Sequence, residues 1–236
     1  MVDVGILGLD TSHGEAFATT LAANGASIAA IWDTGTVRDD EYVASVCEQF
    51  DATRYDDPAA LIDVVDAALV LTVDWDRHVD LAVPFLETGI PTLIDKPVAG
   101  SMADLDRILS VADPPLYGGS ALPFHPDFAA LRSNTASRTV HLVGYNDFYY
   151  YRVHVVDAGR RLVGSDWQSV HPVRRTDTSS VEVTFADGSL ATLRFDGPTA
   201  DPAFGALAVG DRTRTALVGA SEAALDAMYD PYLSTF

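Results

Sequence analysis

The sequence predicts an α/β protein in which a doubly wound parallel sheet precedes a smaller α+β domain with a mainly antiparallel, open sheet. In residues 1–120, short apolar runs alternate with helical patterns, as they do in parallel sheets. In residues 121–236 the pattern changes to period-two alternation around tight turns. The chain has 236 residues, of which 48% are hydrophobic, enough to form a core in each domain.

The first domain reads as strands alternating with helices. Its predicted strands are the apolar runs at 2–8, 27–33, 67–73, 91–95 and 114–120. Its predicted helices are the segments 13–24, 39–50, 56–62, 78–89 and 101–112. Ser12 and Glu15 have the spacing of a capping box, which marks the start of the first helix.

The second domain is predicted to contain one strand at 139–147, one helix at 148–163 and two hairpins. The first hairpin spans 179–195, with Asp187-Gly188 at its turn, a dipeptide strongly favoured in two-residue hairpin loops. The second hairpin spans 205–219. These elements predict an antiparallel sheet.

The net charge of the chain disfavours some kinds of binding partner. The formal net charge is −19, which disfavours binding to nucleic acid or an anionic membrane. It arises from 28 Asp and 6 Glu against 14 Arg and 1 Lys. This composition is typical of halophilic proteins, because a screening length of about 3 Å at 1 M salt makes such self-repulsion tolerable. A GC-rich genome would also replace lysine by arginine, and the composition does not separate the two causes.

The chain carries no obvious membrane or export signal. It has no run of 18 apolar residues and no basic segment before the first strand. Its single cysteine, Cys47, excludes an internal disulfide and is typical of a reducing compartment. We therefore expect a cytoplasmic protein.

The loop after the first strand departs from the dinucleotide-binding fingerprint G-x-G-x-x-G. It reads Gly8-Leu9-Asp10-Thr11-Ser12-His13 and keeps only its first glycine. The start of a helix suits a pyrophosphate, and Thr11, Ser12 and His13 can donate hydrogen bonds to one. The carboxylate of Asp10 would repel a bound pyrophosphate. The alternative is a strand-to-helix turn that binds nothing.

Asp33 ends the second strand, where dinucleotide-binding proteins place an acid. A carboxylate there accepts hydrogen bonds from a ribose and repels a 2′-phosphate, so it favours NAD over NADP. In so acidic a chain, an aspartate at a strand end also occurs by chance.

Lys96 is the only lysine of the chain and lies in Asp95-Lys96-Pro97, directly after the fourth predicted strand. Ligands of open parallel sheets bind at the carboxyl ends of the strands. A lysine retained among 14 arginines indicates a task that needs a compact ammonium group. Chance retention is the alternative.

Together these motifs resemble the glucose–fructose oxidoreductase / inositol dehydrogenase family (Gfo/Idh/MocA), here as a short member of haloarchaeal type. The resemblance rests on G-I-L-G in the first strand, Asp33, T-V-D-W-D-R-H at 72–78 and D-K-P around Lys96. It implies a Rossmann domain, bound NAD and hydride transfer to or from a sugar, polyol or related compound. It also implies that Lys96 polarises the reacting oxygen and that Thr72 and His78 lie beside the cofactor.

The family's second signature, D-x-x-x-H-x-x-D, has a partial match at 148–164. His154 and Asp157 fit H-x-x-D, but Tyr150 stands where the first acid is expected. The resemblance implies that His154 moves the proton and that Tyr150 or Asp157 orients it. It further implies a homodimer or higher oligomer formed through the open sheet, although the second domain is shorter than is usual in the family. The alternative for His154 is a helix residue that only packs.

Two other functions fit the same residues. A non-catalytic relative would bind a nucleotide or sugar ligand for assembly or regulation. A variant enzyme would use bound NAD transiently, for elimination or glycoside cleavage. No metal site is expected, because the remaining histidines, His125, His141 and His171, are scattered.

Overall fold

The computed structural model describes residues 1–113, 115–132, 139–174 and 178–236. The chain forms two compact units. Unit 1 comprises Met1–Gly119 and Leu233–Phe236, and unit 2 comprises Ser120–Tyr232. None of the helices in the described ranges has the length and apolar character needed to cross a membrane.

Unit 1 contains a parallel sheet of six strands in the order β3-β2-β1-β4-β5-β6. The strands are β1 (Asp3–Leu7), β2 (Ser27–Trp32), β3 (Thr53–Arg54), β4 (Ala67–Val70), β5 (Thr92–Ile94) and β6 (Leu116–Gly118). Its helices are α1 (Ser12–Ala23), α2 (Asp40–Phe50), α3 (His78–Glu87) and α4 (Met102–Val111). Short 3₁₀ helices cover Pro58–Asp63 and Trp75–Arg77. The predicted doubly wound sheet is confirmed. The sequence missed β3, whose two residues are too few for a periodic pattern; of the last predicted strand, Pro114 lies outside the described residues.

The predicted capping box at the start of α1 is wrong. The N-cap is Thr11, whose hydroxyl accepts a hydrogen bond from the His13 amide at 3.2 Å. Glu15 instead accepts a hydrogen bond from the Tyr42 hydroxyl at 3.3 Å. A tertiary partner has therefore displaced the local one.

The strand order places several predicted site residues at one edge of the sheet. Because the order reverses between β1 and β4, the loops that follow these two strands diverge and leave a crevice. Gly8 follows β1, Asp33 follows β2, Thr72 comes two residues after β4 and Lys96 two residues after β5. All four therefore lie at the carboxyl ends of strands.

Unit 2 contains a second six-stranded sheet, in the order β12-β11-β7-β10-β9-β8. The strands are β7 (Thr139–Gly144), β8 (Trp167–Arg174), β9 (Thr178–Phe185), β10 (Leu190–Asp196), β11 (Ala203–Val209) and β12 (Thr213–Gly219). The helices are α5 (Pro126–Arg132), α6 (Phe148–Val163), α7 (Glu222–Asp226) and α8 (Tyr229–Leu233), with a 3₁₀ turn at Leu122–Phe124. Only β7 and β10 pair in parallel, which confirms a mainly antiparallel sheet.

Helix α6 packs on β7 and β10 and covers one face of the sheet. Asp147 caps its start by accepting hydrogen bonds from the amides of Tyr149 and Tyr150. Gly164 ends it in the left-handed conformation, with φ of 71°. Both predicted hairpins form. The sequence analysis did not identify β8.

Candidate active site

A hydrogen-bonded histidine–aspartate pair lies at the carboxyl edge of the sheet in unit 1. His13 Nδ1, in the first turn of α1, is 2.8 Å from Asp95 Oδ2, which follows β5. Asp95 is only 2% exposed. The His13 ring stacks on Phe17, with ring centroids 4.9 Å apart. The pair thus connects the first helix to the segment that carries Lys96.

Asp95 is ionised in this setting. Its burial opposes ionisation, but the His13 and Lys96 charges, together with hydrogen bonds from the His13 ring and the Lys96 amide, outweigh it. They hold the pKa of the Asp95 carboxyl well below its usual range. A permanent negative charge therefore lies next to Lys96.

Lys96 is buried beside that charge and is 4% exposed. Burial lowers the pKa of its ammonium to about 8, although the Asp95 charge acts in the opposite direction. The peptide bond between Lys96 and Pro97 is cis. A lysine with such a pKa can donate a hydrogen bond to a substrate oxygen and can also exchange a proton near neutral pH.

The glycines of the loop after β1 are needed for packing. Gly8 has φ of +101°, and a Cβ there would lie 2.7 Å from Thr72 Cγ2. A Cβ on Gly14 would lie 2.8 Å from Leu9 Cδ2. Gly14 thus provides the close contact of helix and strand that the third glycine of the fingerprint usually provides.

Asp10, at the position of the second glycine, points its carboxylate at the loop after β4. Its Oδ2 accepts a hydrogen bond from the Val73 amide at 2.8 Å. Its Oδ1 is buried and has no hydrogen-bond partner among the described residues. Burial of Asp10, followed by the nearby Asp33 charge, raises the pKa of its carboxyl despite the bond from Val73.

The residues around this loop fit a dinucleotide. The amides of Thr11 and Ser12 lie at the start of a 12-residue helix and find no acceptor in the described ranges, so they are available to a phosphate. Asp33 accepts hydrogen bonds from the amides of Leu9 at 2.6 Å and Gly35 at 2.8 Å. Its two oxygens retain lone pairs for ribose hydroxyls.

His78 holds two loops together. Its ring is 1% exposed, with Nε2 at 2.9 Å from the Thr72 carbonyl oxygen and Nδ1 at 3.3 Å from that of Val98. Because both ring nitrogens face main-chain carbonyls, the geometry does not support a direct contact with a cofactor. The sequence missed this positioning role, which depends on a residue 20 positions away.

In unit 2, His154 lies on α6 and is 6% exposed. Its Nδ1 is 2.7 Å from the hydroxyl of Ser120, and its ring meets Tyr151 and Phe204 at centroid distances of 5.5 and 5.3 Å. Ser120, which is 34 residues away, was not predicted from the sequence. Its one sequence signal is a polar side chain directly after an apolar strand.

Asp157 is hydrogen-bonded to the main chain of Ser120, the residue whose hydroxyl contacts His154. Its Oδ2 accepts a hydrogen bond from the Ser120 amide at 3.2 Å, and its Oδ1 accepts one from Arg161 Nε at 3.2 Å. The ring of Tyr150 is tilted against Tyr151, with centroids 5.8 Å apart. The predicted orientation of His154 by Tyr150 or Asp157 stays a prediction, and the structure adds Ser120 as a hydrogen-bond partner of Nδ1.

Of the remaining histidines, His125 precedes α5 and its Nδ1 accepts a hydrogen bond from the Asp127 amide at 3.2 Å. Across the ranges that the structure describes, no group of three or more His, Cys, Asp or Glu side chains could hold a metal ion.

Comparison with known proteins identifies the first unit. Residues 2–114 match the model of the Gfo/Idh/MocA oxidoreductase family, which describes an NAD-binding Rossmann fold. Residues 2–114 therefore belong to the Gfo/Idh/MocA family. No match to a curated protein is found.

Solved structures share the fold of this chain over 92–100% of its length. The UDP-N-acetylglucosamine 3-dehydrogenase GnnA of Acidithiobacillus ferrooxidans matches with a TM-score of 0.80 at 20% identity, covering 100% of this chain and 90% of that one. A probable dehydrogenase of Thermotoga maritima matches with a TM-score of 0.86 at 20% identity, covering 100% and 87%. The myo-inositol dehydrogenase of Lactobacillus casei, in complex with NAD(H) and myo-inositol, matches with a TM-score of 0.77 at 17% identity, covering 92% and 74%. At these identities the likeness establishes the fold.

Proposed function

We propose that this chain is an NAD-dependent dehydrogenase acting on a hydroxyl or carbonyl group of a sugar, polyol or related polar compound. The observation that carries the proposal is the burial of the only lysine of the chain at the carboxyl edge of an NAD-binding Rossmann sheet. The substrate class is supported by GnnA and the myo-inositol dehydrogenase, which have the same fold.

The cofactor would be held by unit 1. In this proposal the amides of Thr11 and Ser12 bind the pyrophosphate and Asp33 accepts hydrogen bonds from a ribose, which favours NAD over NADP. NAD, when bound, supplies the hydride acceptor or donor. The Asp10 side chain, held by Val73, is directed at the loop after β4.

Each unit supplies one candidate side chain for the chemistry. The Lys96 ammonium would donate a hydrogen bond to the substrate oxygen, which stabilises negative charge that develops there. His154 holds or moves a proton at its Nε2 atom. Asp95 and Ser120 position these two groups.

Ligand binding and turnover test the proposal together. Thermal unfolding is measured in molar KCl with NAD and with NADP, followed by NADH absorbance with myo-inositol and UDP-N-acetylglucosamine as first substrates. A ligand at 100 times its Kd stabilises the folded state by about 2.7 kcal/mol, so NAD should raise Tm and NADP should not. If neither dinucleotide raises Tm, the dehydrogenase proposal fails.

That failure would favour a non-catalytic relative, and one observation specifically supports this second candidate. Asp10 places a carboxylate beside the loop that would hold the pyrophosphate. If substrate is consumed with no net NADH, the chain is instead an enzyme that uses NAD transiently, as in elimination or glycoside cleavage.

We further infer that a second copy of this chain covers the free face of the sheet in unit 2. Leu217 and Val143 lie on either side of Gly205 in the strand register, on the face opposite α6. Leu217 is 72% exposed, and Val173 on β8 is 57% exposed. Leu217→Glu should convert a dimer into a monomer in sedimentation equilibrium. A wild-type monomer at all concentrations would contradict this.

A further inference from the structure

Ser120 and His154 are hydrogen-bonded to each other in the core of unit 2. Ser120 is fully buried, and its hydroxyl oxygen accepts a hydrogen bond from the Leu122 amide at 3.0 Å. The same oxygen is 2.7 Å from Nδ1 of His154. In the part of the chain that the structure describes, the hydroxyl makes no other bond.

The positions of the hydrogen atoms follow from this count. The Leu122 amide can only donate, so the Ser120 oxygen accepts from it. Among the described residues, the hydroxyl proton then has one acceptor within reach, the lone pair of His154 Nδ1. The opposite arrangement, with the proton on Nδ1, would leave a fully buried hydroxyl proton without an acceptor, which is unfavourable.

We propose that Ser120 fixes the tautomer of neutral His154, so that the ring carries its proton on Nε2 and presents a hydrogen-bond donor to the substrate oxygen. The inference rests on the proposed function of His154 and makes it more specific. In this tautomer Nε2 has no lone pair, so the neutral ring cannot accept a proton there. A donor at Nε2 stabilises negative charge on an oxygen, as addition of a hydride to a carbonyl requires.

Three neighbouring residues hold Ser120 and His154 in position relative to each other. The Ser120 main chain is held by Asp157, whose Oδ2 accepts from its amide. The Tyr151 and Phe204 rings pack on the imidazole in edge-on arrangements. Ser120 is therefore a positioning residue for His154.

The tautomer can be measured directly by NMR. Long-range ¹H–¹⁵N correlation of the imidazoles is recorded on the full chain at a pH where the histidines are neutral, and His154→Gln assigns the signal among the 6 histidines. We expect a protonated Nε2 and an unprotonated Nδ1. A protonated Nδ1 in the wild type would overturn the proposal, whatever the variants do.

Variants at Ser120 test the source of the effect. Ser120→Ala should move the Nδ1 resonance toward that of a nitrogen without a hydrogen bond, and Ser120→Thr should restore it. Ser189→Ala is the matched control, since Ser189 is also buried and its hydroxyl donates to Asp187 at 3.0 Å in the same unit. An unchanged Nδ1 resonance in Ser120→Ala would contradict the proposed hydrogen bond from Ser120 to Nδ1. Absence of NAD binding with the expected tautomer would defeat only the proposed function.

Discussion

Two polar clusters of this protein are built on opposite electrostatic principles. In unit 1, the buried carboxylate of Asp95 is hydrogen-bonded to the His13 ring and lies next to the Lys96 charge. In unit 2, His154 lies against the neutral hydroxyl of Ser120, while the carboxylate of Asp157 accepts hydrogen bonds from the Ser120 amide and from Arg161. We expect the first cluster to depend on the balance of charge around Asp95. The second should depend on the distance between the Ser120 hydroxyl and the His154 ring.

The difference follows from desolvation. A carboxylate as buried as Asp95 is tolerable only when cations and hydrogen bonds compensate for lost water. A neutral serine carries no such cost and can hold a ring without shifting its charge balance. Each experiment below removes one group from the charged cluster or from the loop beside it.

The largest effect is expected for Lys96→Arg. The guanidinium keeps the charge but is planar and does not release its proton, so turnover should fall by about 100-fold or more while NAD binding is retained. Because the pKa of Lys96 is about 8, wild-type activity that needs the ammonium should fall as the pH rises through 8. The variant should lack this limb of the pH profile.

The control for that variant is Arg107→Lys, which alters an exposed cation 3.3 Å from Asp80 and should not change turnover. Both are measured by NADH absorbance at saturating NAD. Undiminished activity of Lys96→Arg would remove Lys96 from the chemistry.

A smaller but still large effect, on stability, is expected for His13→Ala. Removing the His13 ring takes a hydrogen bond from a buried carboxylate, and a hydrogen bond to a charged group typically contributes about 1.5–3 kcal/mol. The low pKa of folded Asp95 contributes stability that is present above the ordinary aspartate pKa of about 3.9 and is lost as the pH falls. The variant should therefore also unfold at a higher pH in an acid titration.

Urea unfolding measures this free energy, with His171→Ala as the control. His171 is exposed, so its removal should change the free energy of unfolding by only about 0.5 kcal/mol. If the free energy of unfolding of His13→Ala equals that of the control, the Lys96 charge and amide compensate Asp95 without His13.

The smallest effect is expected for Asp10→Asn, which should increase the free energy of unfolding. Since burial raises the pKa of folded Asp10, its ionised form destabilises the fold, and stability falls as the pH rises above the ordinary aspartate pKa. Neutralising it should raise the free energy of unfolding by about 1 kcal/mol, or Tm by roughly 2–4 °C. Less charge beside the loop should also tighten NAD binding about fivefold.

Asp66→Asn serves as the matched control, because Asp66 is exposed and also accepts one backbone bond, from the Asp3 amide at 2.9 Å. Scanning calorimetry and titration calorimetry with NAD give the two readouts. A loss of Tm in Asp10→Asn would mean that the Val73 bond needs a charged acceptor.

Some of the site was predictable because it depends on neighbours in sequence. Gly8, Asp33 and Lys96 each follow an apolar strand, and the alternation of strands and helices implies that such positions share one edge. Helix α6 was predicted because its pattern, its Asp147 cap and its terminal Gly164 are all local. The halophilic character inferred from composition stays a prediction.

The pairings were not predictable, because each joins residues far apart in the chain. His13 meets Asp95 across 82 positions, and Glu15 leaves its predicted cap for Tyr42 across 27. The sequence by itself determined the order of strands and helices, the strand-end positions of the polar residues and the lone lysine, since these depend on periodicity and composition. Only the tertiary structure decided which polar groups lose their water together, and the balance between that desolvation and the partners that replace it determines charge, pKa and orientation at each site.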